Sequence, residues 1–244
     1  MPDRRQGWLM LACFLVAEAA FVVVSVLVLL PFAVVATHAG AGVRLPGPAL
    51  VAALLVPTVT AGIVGVVGAV LLGRGELSER LRSQLALRWQ LSHLGIGLLF
   101  GVAGLVVTIP ASLLWARWAG KSANSAVAEV FEGQRLSLAL GLVLFVAVWL
   151  IAPMCEELLY RGLLWRALEY WRWNRWVIFT LTTVLFSLAH LELLRTPLLL
   201  VISLPIALAR LLTGNLLASI VAHQANNLLP AVGLLLITQG AVPS

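Results

Sequence analysis

Charge is what this sequence has least of. Asp, Glu, Lys and Arg make up 11% of its 244 residues, hydrophobic residues make up 61%, and the mean hydropathy is +1.04. A soluble domain carries about 25% charged residues, so a water-soluble globular fold is excluded and the chain falls in the membrane class. Sixteen Lys and Arg face 10 Asp and Glu, an excess that in a soluble protein would suggest nucleic acid. Here the arginines sit in the breaks between apolar runs, so membrane topology accounts for them and no nucleic-acid partner is expected. Cysteine is scarce too: Cys13 and Cys155, both in apolar text, make no disulfide framework. The sequence has no phosphate-binding glycine loop, no internal repeat and no His-Glu-x-x-His, and the last absence excludes a thermolysin-like local zinc site. No serine or cysteine stands in an obvious nucleophile motif. The basic start, Met1 to Arg5, looks like a signal peptide. The apolar run from Trp8 to Val35 is too long for one, so it is expected to be retained as a first span.

What the sequence has is long apolar runs, at about 8–34, 49–72, 94–115, 137–167, 177–193, 197–212 and 215–237. Each of the first four can cross roughly 30 Å of hydrocarbon at about 1.5 Å per residue. Runs of this length without barrel alternation must be helices, because only a helix satisfies its own backbone in lipid. The expected fold is therefore all-α: a polytopic membrane bundle of about seven helices, eight if Pro230 divides the last, around an intramembrane cavity. With the N-terminus inside, the inner segments hold Arg4, Arg5, Arg74, Arg80, Arg82, Arg88, Arg161, Arg166, Arg172, Arg175 and Arg210. The outer ones hold only Arg44, Arg117, Lys121, Arg135 and Arg195, so a cytoplasmic N-terminus is expected. The 74–93 connector reads as a short amphipathic helix lying in the interface. The 116–135 connector, with Ser122, Asn124, Ser125, Glu129 and Glu132, is the most polar outer segment. Trp165, Trp171, Trp173 and Trp176 read as interface anchors.

Against this background the stretch Cys155-Glu156-Glu157-Leu158-Leu159-Tyr160-Arg161 stands out. Ionisable residues inside a span are costly and mark functional sites by default. Glu157 and Arg161 are i,i+4 and face each other, whereas Glu156 is turned away by about 100° and lacks that partner. His223 and Asn227 share a helix face by the same spacing, as do Phe186 and His190. Helix rise puts Glu18, His190, His223 and Asn227 roughly 12–20 Å into the membrane. The glutamates join that layer only if their helix runs on to about Tyr170, kinked at Pro153 or broken there into a re-entrant segment. A buried glutamate beside a histidine can take a proton from water, and a second histidine with an asparagine can steady an oxyanion. A metal variant also fits the inventory, with Glu156, His190 and His223 around one divalent ion such as zinc. The bland alternative is that these groups only hydrogen-bond helices together, which is the expected role of Glu18, alone in its span.

As a set, Glu156-Glu157-x-x-x-Arg161, Phe186-x-x-x-His190 and His223-x-x-x-Asn227 resemble the three signature motifs of the CPBP (Abi) intramembrane proteases, which include the type II CAAX prenyl endopeptidases. The resemblance covers about 150–230, and residues 1–135 match only as generic spans; the chain is expected to be a single integral membrane domain, with three helices in 1–135 and the catalytic core in 136–244. The resemblance implies that Glu156 activates water with help from His190. Glu157 would hold Arg161 and shape the site with Phe186, and His223 and Asn227 would stabilise the oxyanion, with no cofactor or with one divalent metal. The implied substrate is a membrane-embedded peptide or protein reached among membrane lipids, in a bacterial cytoplasmic membrane. A non-catalytic immunity or partner-binding protein of the same fold is the alternative, and a proton-relay transporter is a third.

Overall fold

Apolar run length decides the elements. The computed structural model describes residues 4–39, 45–120 and 125–242; Arg44, Lys121, Ser122 and Asn124, used above for topology, lie outside them. The helices are α1 (Arg4–Ala39), α2 (Gly47–Leu72), α3 (Leu77–Leu85), α4 (Leu91–Ala119), α5 (Ala126–Phe131), α6 (Leu138–Tyr170), α7 (Arg175–Ala189), α8 (Thr196–Thr213) and α9 (Leu216–Gln239). No strand occurs among the described residues. Six of these helices are long and apolar enough to cross a membrane; α7, the fifth expected span, has only 15 residues, about 22 Å of rise. The protein is an all-helical, integral membrane bundle.

Local chemistry sets the boundaries. Ser137, Asn174 and Asn215 cap α6, α7 and α9 by accepting backbone N–H groups, the usual role of such side chains. The expected interfacial helix is α3, which starts in a reciprocal capping box between Glu76 and Glu79 and buries Gln84 and Leu85. Pro230 does not divide the last span: α9 runs through it.

The interior separates small residues from large. Gly97, Gly101 and Gly104 of α4 lie against Ala218, Ala222 and Asn226 of α9, and a Cβ on Gly101 would stand 2.5 Å from that of Ala225. Such small-residue stripes let membrane helices approach closely. Leu98, Leu99, Val102 and Val106 of the same helix are exposed, the face offered to lipid. Helix α6 is the centre of the bundle, packed on α1, α2, α3, α7 and α9. Its lower half builds the main core with Met10, Phe14, Leu85 and Ile178, and its upper half packs with Leu50, Val51, Phe131 and Leu234.

Candidate active site

Helix α6 stays continuous past Pro153 by widening. A proline removes one N–H and crowds the carbonyl four residues back; here residues Ala147–Ile151 form a π-turn in which the Ala152 N–H reaches the Ala147 carbonyl. A second π-turn spans Leu158–Leu164. Such wide turns leave carbonyls free for side chains, and they recur at functional sites. Between the two lie Glu156 and Glu157. Because the helix runs on to Tyr170, the glutamates reach the layer of His223, eight residues into α9 and about 12 Å from that helix's start.

Glu157 is fully buried and is held through one carboxylate oxygen. Its Oε1 accepts Arg161 Nη1 at 3.1 Å and His223 Nδ1 at 3.0 Å. Arg161 is equally buried, and its guanidinium lies 4.3 Å over the Phe186 ring, a contact that holds a cation where water cannot. Charge in an apolar interior persists only when paired and hydrogen-bonded. Glu156, one residue earlier, keeps 31% of its side chain exposed, and its Oε2 stands 3.7 Å from His223 Nε2. His223 is thereby flanked by one carboxylate at each ring nitrogen.

Phe186 is the spacer of the second wall. Its ring packs edge-on against His190, His223 and Tyr160, with centroids 4.8, 5.7 and 5.5 Å apart. His190 terminates α7, is exposed, and hydrogen-bonds the Phe186 carbonyl through Nδ1 at 2.9 Å. That carbonyl acceptor fixes Nδ1 as the protonated nitrogen and leaves the Nε2 lone pair open. His190 makes no hydrogen bond or ion pair with either glutamate among the described residues. Asn227 has turned to the backbone, donating from Nδ2 to the Val148 carbonyl at 3.3 Å. Gln224 does the same to Leu150 at 3.1 Å.

Two neighbours escaped the sequence reading. Gln224 lies beside His223, and its polarity within an apolar helix was the available signal. Arg210 was counted as a boundary charge, yet it is 1% exposed; its Nε donates to the Arg161 carbonyl at 3.1 Å and its guanidinium lies 4.9 Å over Trp165. Glu18 of α1, expected to hold helices together, lies near Tyr160 of α6, whose ring meets Phe14 of α1 at 5.3 Å. Cys155 touches α2 at Gly62, where a Cβ would stand 2.6 Å from its Sγ.

The possible metal ligands Glu156, His190 and His223 do not converge: among the described residues no three His, Cys, Asp or Glu side chains are grouped to hold an ion. Residues 138–229 match the family model described as Type II CAAX prenyl endopeptidase Rce1-like. Nothing matches among curated proteins or solved structures. The matched stretch opens with the first residue of α6 and closes in α9, so it holds all the motif residues from Glu156 to Asn227. Over those residues the chain is similar to the Rce1-like type II CAAX prenyl endopeptidases, a match consistent with the CPBP/CAAX protease family.

Proposed function

We propose that the protein is an intramembrane endopeptidase that hydrolyses a peptide bond of a membrane-associated or lipophilic peptide or protein. The observation that carries this reading is the division between adjacent glutamates. Glu157 is locked to Arg161 and His223, whereas Glu156 is partly open and, among the described residues, has His223 alone within ion-pair distance. One carboxylate thus organises the site and the other is free to move a proton.

Glu156 takes a proton from water as its oxygen adds to the scissile carbonyl, assisted by the open Nε2 of His190. The Nε2 edge of His223, when it carries a hydrogen, serves the developing oxyanion together with the second amide hydrogen of Asn227. Glu156 returns the proton to the departing amine as the C–N bond breaks. An apolar groove of about 370 Å³, lined by Leu55, Leu142, Val143, Val146 and Ile151, runs beside the first wide turn and suits a lipophilic segment arriving from the side. The arginine-rich end is read as cytoplasmic, in a bacterial cytoplasmic membrane.

The test compares cells lacking the gene and carrying either wild type or Glu156→Gln, by terminal-peptide mass spectrometry of membrane and secreted proteins. Termini made by wild type should fall about 10²–10⁴-fold with the variant, at equal expression. Identical termini, with the variant still rescuing a phenotype, would replace this reading with the partner-binding one.

A further inference from the structure

We infer that a cleft at the arginine-rich end binds the phosphate group of an anionic phospholipid. The cleft forms where the start of α1, the end of α2, α3 and the end of α6 meet. It holds about 420 Å³ and is lined by Gln6, Leu72, Arg74, Ser83, Gln84 and Tyr170. At about 30 Å³ per water that is room for a glycerophosphate headgroup, and it lies far along α6 from the glutamates.

Arg74 is the one cation among the cleft's lining residues. No carboxylate is in it. The acceptor of its floor is already used: Gln84, 6% exposed, takes hydrogens on Oε1 from Gln6 at 3.1 Å and Tyr170 at 3.3 Å. The Gln6 amide also donates to the Leu72 carbonyl at 3.2 Å. Arg74 stands exposed at the rim, without an ion pair to any described residue, unlike Arg80, which closes the end of α2 through the Gly75 and Val70 carbonyls. A guanidinium is the group suited to a phosphate's paired oxygens.

The level of the cleft supplies the source. Trp8, Trp89, Trp173 and Trp176 are exposed at this end, and tryptophans so placed mark the headgroup layer. A zwitterionic headgroup finds no partner for its ammonium: the one aromatic ring in the lining, Tyr170, already faces the Arg166 guanidinium at 5.0 Å. The site therefore selects a net-negative phosphodiester.

The test uses the purified full chain in dodecylmaltoside and native mass spectrometry, with phosphatidylglycerol, phosphatidylcholine and sn-glycerol 3-phosphate as probes. Wild type should retain phosphatidylglycerol over phosphatidylcholine. Arg74→Gln should weaken that retention about tenfold or more, Arg74→Lys should restore part of it, and Arg82→Gln, an exposed charge of α3 outside the cleft, should change it less than about twofold. Equal retention of both lipids, or equal loss with Arg82→Gln, would reduce the effect to bulk surface charge and overturn the site. Tight binding of glycerol 3-phosphate would make the ligand a soluble phosphoester and overturn the lipid assignment. None of these readouts depends on proteolysis.

Discussion

The two wide turns of α6 share a geometry and differ in cause. The first, Ala147–Ile151, sits just before Pro153 and has a covalent reason; its carbonyls at Val148 and Leu150 are taken by the amides of Asn227 and Gln224. The second, Leu158–Leu164, contains no proline; its Arg161 carbonyl is taken by the buried guanidinium of Arg210. The first turn is forced by the chain and then satisfied. The second is sustained by what surrounds it: Arg161 must reach Glu157 and Phe186 with its side chain and Arg210 with its backbone. Together they bracket the glutamate pair and set its facing toward α9.

Removing the charge inside the second turn should have the largest effect on stability. Arg161→Met leaves Glu157 fully buried without its cation, a loss of about 3–5 kcal/mol by the usual behaviour of broken buried pairs. The double variant Arg161→Met with Glu157→Gln should recover most of it, since an apolar or neutral replacement of the whole pair is tolerated far better than half of it. Thermal melting in detergent decides this. Equal destabilisation of single and double variants would mean that Arg161 serves packing alone.

A smaller effect is expected at Arg210. Arg210→Met removes a charge-assisted hydrogen bond to the turn and should cost about 1.5–3 kcal/mol. Arg210→Lys keeps the charge but not the flat fork over Trp165, and should fall between. If Arg210→Met melts like wild type, the second turn is held by the Glu157–Arg161 pair without help.

How much of this could be read from the sequence follows the same division. Run lengths gave the spans to within a few residues, because hydrocarbon thickness is a one-dimensional constraint. The i,i+4 spacings gave Glu157–Arg161 and the shared face of His223 and Asn227, because helix geometry fixes neighbours on one helix. Pro153 pointed to a local distortion but not to its form, since kink, break and wide turn all answer the same missing N–H. The second turn carried no signal, because its cause lies on another helix. Contacts between helices were out of reach for the same reason: nothing in the text said that His223 would meet both glutamates, that Arg210 would be interior, or that Asn227 would turn to a carbonyl.

The smallest effect tests the first turn. Gln224→Leu removes one interhelical hydrogen bond to the Leu150 carbonyl, and such bonds in membranes are worth about 0.6 kcal/mol on average. The amide is useful only while the turn leaves that carbonyl free. Pro153→Ala returns an N–H to the helix and allows an α-helical turn, in which the freed carbonyls are satisfied within the chain. In that background Gln224→Leu should cost close to nothing. A double-mutant cycle from thermal melts therefore has a clear expectation, a positive coupling comparable to the whole single-mutant loss. Zero coupling, with Gln224→Leu equally costly in both backgrounds, would mean that the wide turn does not arise from Pro153 and that the two turns share one cause after all.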